Sequence, residues 1–257
     1  MNNTIREWDL SHFDSRIRYS EVDEEGLLRA DKIIDYFQDC STFQSEDGGV
    51  GLRYMTDLGV AWIVNYWQIE IRRYPVLGEK VSTGTSPYRL RSFIGERNFI
   101  MEAEDGETLA VANSFWSLFD LRRMKPYPVT DKMMEVYKMH PPFDMDYKPR
   151  KIAIPGEPLT EAGNILIDGT HLDSNGHVNN AQYVRFLMRY IPEGSIVRSL
   201  RIEYRRQVVP GETLSVRTDG NGLFVMCLAD EEKSVCAVAI LETGERKPSE
   251  INAWKQY

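Results

Sequence analysis

Asp173, Asn175 and His177 stand at alternate positions in LDSNGHVNNAQYVRFL, residues 172–187, and Asn179 and Asn180 precede a stretch whose apolar residues fall at helical spacing. A carboxylate, an amide and an imidazole beside a helix start can handle a carbonyl. The free N–H groups and positive dipole end of a helix polarise a carbonyl and hold an oxyanion. A neutral imidazole with a nearby amide can position or deprotonate a water. The set suits acyl transfer to water, with the backbone N–H groups of Val178, Asn179 and Asn180 expected to face the carbonyl. A plainer role is open to the same residues: Asn179 or Asn180 as N-cap, Gly176 in a tight turn, and His177 as a hydrogen-bonded loop residue.

Other chemistries have no signature in the chain. His171 and His177 sit six apart rather than at the three- or four-residue spacing of a helical ligand pair, and neither GxGxxG nor a phosphate loop occurs, so no metal and no cofactor is expected. GxSxG is absent too. Cys40, Cys227 and Cys236 are odd in number and lack CxxC spacing, which reads as buried structural thiols. A net charge of -8 argues against non-specific nucleic-acid binding. No apolar run approaches the roughly 18 residues that cross a bilayer. The start, MNNTIREWDLSHFDSRIRYS, has neither the apolar core of a signal peptide nor the composition of a transit peptide, so an unprocessed cytoplasmic protein is expected.

What positions the loop is a duplication. IEIRRYPVLGEKVST, residues 69–83, aligns without gaps on IEYRRQVVPGETLSV, residues 202–216. Upstream, VDEEGLLRADKIIDYF, residues 22–37, lies against residues 172–187, with Asp23 over Asp173 and Gly26 over Gly176. Each copy reads as an Asp-x-x-Gly turn, one amphipathic helix and several strands. Ile33, Ile34, Phe37 and Cys40 make the first apolar helix face; Tyr183, Val184, Leu187 and Ile191 make the second. Strand runs joined by short turns imply an antiparallel sheet, which buries the helix by curling around it.

The offset between copies falls from 150 to 133, so the first copy carries about 17 extra residues between helix and strands, a Gly-rich apolar insert suited to shaping a pocket. The segment between the copies holds seven of the twelve prolines and reads as an extended crossover. The expected organisation is an N-terminal unit over 1–130, a linker over 131–155 and a C-terminal unit over 156–257.

Positions that match in place but differ in character point to function. Asp23-Glu24-Glu25-Gly26-Leu27 faces Asp173-Ser174-Asn175-Gly176-His177, with leucine where the second copy has histidine.

The run Asp-Ser-Asn-Gly-His-Val-Asn-Asn-x-x-Tyr at 173–183 resembles the signature of the acyl-acyl-carrier-protein thioesterases of plant plastids and bacteria. RYSEVDEEGLLR, IEIRRYPVLGE and SFWSLFDLRRMKPYP resemble that family as well, so the resemblance covers nearly the whole chain. It implies an α+β fold of double-hotdog type, two tandem units each with a long helix wrapped by a curved antiparallel sheet. It also implies hydrolysis of the thioester between a fatty acyl chain and acyl carrier protein. Asp173, Asn175 and His177 would form the catalytic loop of the second hotdog, and the first would shape the acyl pocket.

The family places an acidic residue, commonly followed by cysteine, after a Tyr-Arg-Arg sequence, whereas this chain reads Tyr204-Arg205-Arg206-Gln207-Val208. Glutamine cannot act as a carboxylate base, so Gln207 would only orient water, and water attack is favoured over a covalent acyl-enzyme. An acyl-CoA thioesterase or a non-catalytic acyl-binding protein would share the fold, and a homodimer is compatible with it. Acyl carrier protein is acidic, so the docking partner would seek basic clusters, for which Arg72 with Arg73, Arg89 with Arg91, Arg122 with Arg123 and Lys125, and Arg205 with Arg206 are candidates.

Overall fold

The computed structural model describes residues 10–256. Residues 1–9, part of the N-terminal stretch read above, lie outside the described residues. The first copy runs β1 (Ser11–Arg16), α1 (Ala30–Asp47), α2 (Leu52–Leu58), β2 (Val60–Ile71), β3 (Lys80–Arg91), β4 (Ile94–Ala103), β5 (Thr108–Asp120) and β6 (Lys125–Pro126). After α3 (Asp131–Val136) comes the second copy: β7 (Thr160–Leu166), α4 (Asn180–Leu187), β8 (Ser195–Tyr204), β9 (Thr213–Thr218), β10 (Leu223–Leu228) and β11 (Glu231–Glu245).

The strands form one antiparallel sheet in the order β1-β3-β4-β5-β2-β8-β11-β10-β9-β7, with β6 added to β5. The second half of this order is the first half mirrored under the duplication. The copies meet where β2 pairs with β8, and the ladder there includes Gln68↔Arg201. Those two positions are related by the 133-residue offset itself, so a pseudo-two-fold axis passes between them. Each half-sheet wraps its own helix, which gives the double hotdog that the resemblance implied.

Burial follows the apolar spacing. Ile33, Ile34, Phe37 and Cys40 of α1 are buried, as are Tyr183, Val184 and Leu187 of α4. Ile191, expected on the second helix, lies beyond it, because α4 tightens into a 3-10 turn at Met188–Tyr190 ahead of Pro192. Trp67 is fully buried, with its ring centroid 5.0 Å from Phe99 and 6.2 Å from Phe37. One apolar cluster runs through both halves.

The count of one helix per copy is too low for the first copy. The insert adds α2, which ends at Gly59 in the left-handed conformation, φ 70°. With α3 it builds a separate small core from Val50, Met55, Val60, Leu118, Met133 and Tyr137 at one end of the sheet. Strands β1 and β7, which precede each loop, also went unpredicted. They pair at the sheet's outer edges with β3 and β9.

The crossover lies along the sheet and over the pseudo-axis. The Gln68 amide donates to the Asp146 carbonyl at 2.7 Å and accepts from Lys148 N–H at 2.9 Å, while Arg201 Nη2 donates to the Pro149 carbonyl at 2.7 Å. Among the described residues no helix is long and apolar enough to cross a membrane.

The halves are also tied by a side chain: buried Tyr74 of the first copy donates its hydroxyl to the Val197 carbonyl of the second at 2.8 Å. Tyr74→Phe is expected to lower the unfolding free energy by about 1 kcal/mol, the net worth of one buried hydrogen bond. Urea denaturation measures this, and an unchanged midpoint would show that the bond contributes nothing.

Candidate active site

The two Asp-x-x-Gly loops are built alike. Asp173 N–H donates to the His177 carbonyl at 2.8 Å and Gly176 N–H to the Asp173 carbonyl at 3.1 Å; Asp23, Leu27 and Gly26 make the same bonds at 2.8 and 3.0 Å. Asp173 Oδ1 accepts the amides of Asn175 and His177 at 2.8 and 3.3 Å, as Asp23 Oδ1 accepts those of Glu25 and Leu27, both at 3.0 Å. Gly176 and Gly26 have φ of 76° and 79°, which a β-carbon would strain. Asp173 therefore shapes the turn, and its twin does so in the copy that lacks histidine. The difference between copies lies in the side chains the turn displays: Asn175, exposed, and His177, half-buried.

Helix α4 starts as its sequence dictates. Asn179 Oδ1 caps it by accepting Ala181 N–H at 2.8 Å, and the half-buried Tyr204 donates its hydroxyl to the Asn180 carbonyl at 2.8 Å. Of the three amides expected to face a carbonyl, two are committed elsewhere. Val178 N–H donates to the Val208 carbonyl at 3.1 Å and Asn179 N–H to the His171 carbonyl at 2.9 Å. The oxyanion expectation narrows to Asn180, whose N–H has no acceptor among the described residues. The bond from Val178 to Val208 also sets Gln207, which is exposed, in the strand-end segment beside the loop. In the first copy the equivalent positions, Leu27 and Tyr74, line one cleft.

A cavity of about 790 Å³ opens at this loop. Asp173, Ser174, Asn175, Asn179 and Asn180 of the second copy form one wall, and the remaining lining residues come from the first copy and from Tyr137 just after α3. From the insert come Leu52, Met55 and Thr56, and from the sheet Trp62, Leu90, Arg97 and Trp116. His177 and Gln207 are not among its lining residues.

Trp62 and Met55 line the cavity, Trp67 lies in the core, and Phe43 faces an adjoining cleft of about 500 Å³. Helix α1 contributes Gln38, Ser41, Thr42 and Ser45 rather than apolar residues, because its apolar face is turned to the core.

Gln38 and Arg97 are polar lining residues that the sequence alone does not single out. Gln38 stands in both the cavity and the adjoining cleft, and its Oε1 accepts from Asn180 Nδ2 at 3.3 Å, which joins α1 to the start of α4. Comparison of the copies carried a signal for it, since position 188, 150 residues on, is methionine. Arg97 is buried in the cavity wall, with Nη1 on Gln44 Oε1 and Thr85 Oγ1 and its guanidinium 5.3 Å from the Tyr137 ring centroid. Burial lowers its pKa, yet an arginine remains charged in proteins.

A larger cleft of about 890 Å³ lies at the leucine-bearing loop of the first copy. It is lined by ion-paired groups such as Arg73 with Glu79 and walled by Lys247, Ser249 and Glu250. No α-helix start lines it, whereas Asn179 and Asn180 at the start of α4 line the smaller cavity, so the smaller cavity is the better candidate.

Thiol chemistry is disfavoured. All three cysteines are buried, and burial pushes the Cys236 thiol up to about 11 and that of Cys40 up to about 12, so both are protonated at neutral pH. Among the described residues no group of three His, Cys, Asp or Glu side chains could hold a metal ion.

Residues 11–137 match the acyl-ACP thioesterase N-terminal domain, and residues 164–256 match the C-terminal domain of the same family. A chloroplastic acyl-[acyl-carrier-protein] hydrolase of Cuphea viscosissima is 24% identical over 230 residues, covering 80% of this chain and 53% of that protein. The oleoyl-acyl carrier protein thioesterase 1 of Arabidopsis thaliana is 24% identical over 216 residues, 74% of this chain and 58% of that one. The chain thus spans about half the length of the curated relatives it matches. The solved structure of an acyl-ACP thioesterase from Bacteroides thetaiotaomicron superposes with a TM-score of 0.81 at 20% identity, covering 91% of this chain and 98% of that one. That of the 12:0-ACP thioesterase from Umbellularia californica gives 0.74 at 20% identity, with the same coverage. The structures share the fold, and with matches to both of its domains, this chain belongs to the acyl-ACP thioesterase family.

Proposed function

We propose that the protein hydrolyses the thioester joining a fatty acyl chain to acyl carrier protein, releasing the free fatty acid and ending chain elongation. The observation that carries this is the cavity: the amide-bearing loop and helix start of one copy open into a chamber walled by the other. The names of the relatives, hydrolases and thioesterases of acyl carrier protein, support the same chemistry. In this reading the N-terminal unit, residues 1–130, houses the chain and the C-terminal unit, residues 156–257, supplies the reacting groups.

The thioester carbonyl oxygen takes the N–H of Asn180 at the positive end of α4, where charge develops as water attacks. Asn175 and His177 place the water. His177 in its neutral form accepts the proton as the carbon–oxygen bond forms, and returns it to sulfur as the carbon–sulfur bond breaks. Water and thioester give carboxylic acid and thiol, with no covalent intermediate. Asp173 holds the turn that displays Asn175 and His177, and Gln207 orients the water without taking its proton.

The test is thiol release from acyl carrier proteins bearing chains of about 4 to 18 carbons, with the same chains on coenzyme A in parallel. Release from the carrier substrates is expected. Faster turnover of the coenzyme A series would reassign the substrate, and no release from any carrier substrate would leave only an acyl-binding role. His177→Ala should lower kcat by about 10²- to 10⁴-fold, the usual worth of a general base. Gln207→Glu, which restores a carboxylate, should leave kcat unchanged or raise it. A fall would mean that the amide itself is needed.

A further inference from the structure

The chain carries eight more acidic than basic side chains, so a surface where cations prevail stands out against the background. Of the four basic clusters in the sequence, three are neutralised wholly or in part. Arg73 pairs with Glu79 at 2.6 Å and Glu107 at 2.7 Å, and Arg72 shares its cleft with Glu104 and Asp105. Arg89 pairs with Glu96 at 2.9 Å, Arg205 with Glu203 at 2.8 Å and Arg206 with Glu212 at 3.1 Å.

The fourth, Arg122, Arg123 and Lys125, is different. Asp120 Oδ1 accepts the backbone amides of Arg122 and Arg123 at 2.9 and 2.8 Å, so this carboxylate builds the turn. Arg123 Nε lies 3.9 Å from Asp120, at the outer limit of an ion pair, and among the described residues Arg122 and Lys125 pair with no carboxylate. The same turn exposes Leu121 and Met124, and Leu121 N–H donates to the Gly59 carbonyl at 3.0 Å, which fixes the turn against the end of α2. Leu52 of α2, 65% exposed, completes the patch. Leu52, Leu121 and Arg122 line the same cavity as Ser174 and Asn175.

We propose that residues 121–125 together with Leu52 are the docking surface for an acidic carrier protein, which passes its thioester-bearing arm over the cavity rim to the loop at 173–177. Three cations around exposed apolar side chains complement a partner that presents carboxylates around an apolar patch, steering its approach and setting its orientation. This surface rests on the proposed thioester hydrolysis.

The double variant Arg123→Glu/Lys125→Glu leaves every cavity residue in place. With the acyl chain on carrier protein, kcat/KM should fall about tenfold or more through KM, and the dependence on ionic strength should weaken. With the same chain on N-acetylcysteamine, kcat/KM should change by less than about twofold. Arg72→Glu, on a neutralised cluster, should alter neither. Unchanged kcat/KM on the carrier substrate, or equal losses on both substrates, would overturn the assignment. If the unaltered protein cleaves neither substrate, the hydrolysis reading fails, and titration with carrier protein decides the surface: binding abolished by the double variant supports it, while absent or unaltered binding refutes it.

Discussion

The ladder between β2 and β8 is the constraint on which the rest of this structure depends. Pairing Gln68 with its own duplicate, Arg201, makes two half-sheets continuous and fixes one copy relative to the other. A one-residue slip would turn every side chain of a strand to the opposite face, and would carry Trp67 and Ile202 out of the core they share. With this register set, α1 and α4 lie side by side, Gln38 meets Asn180, and the loop at 173–177 faces the space beyond the C-terminal half of α1.

Each copy then supplies what the other lacks. Both keep the aspartate and the glycine, because the turn needs an acceptor for two amides and a residue with positive φ. Only the second copy displays an amide and an imidazole there. Only the first has the insert, whose α2 holds the cavity open, while its own loop is bound by the C-terminal segment through Arg246 and Asp23 at 2.9 Å. In the proposed mechanism, duplication frees one helix start for chemistry and the other sheet for a chamber.

Much of this was legible in the sequence, for reasons that also mark where the reading ran out. Gap-free matches such as IEIRRYPVLGE on IEYRRQVVPGE report the repeat, and the spacing of Ile33, Ile34, Phe37 and Cys40 reports a helix with one buried face. Strand β7 was not legible, because TEAGNIL holds a glycine and buries only Ile165, so it carries no clear alternation. Helix α2 buries a single residue, Met55, and takes its stability from packing on α3. Asn175 and His177 emerged from contrast between copies. Gln38 and Arg97 did not, because their roles come from neighbours far off in the chain: Asn180 lies 142 residues from Gln38. That Val178 and Asn179 commit their amides to Val208 and His171 is likewise a fact of tertiary pairing, invisible to spacing.

The central claim is that one copy holds the chain while the other activates its carbonyl. A crystal structure of the protein with a non-hydrolysable acyl-pantetheine thioether ketone tests it directly. The account predicts the acyl chain in the first-copy cavity between α1 and α2, with the carbonyl oxygen in hydrogen-bond reach of Asn180 N–H. A chain bound beneath α4 in the second copy, or a carbonyl remote from the loop at 173–177, would contradict it.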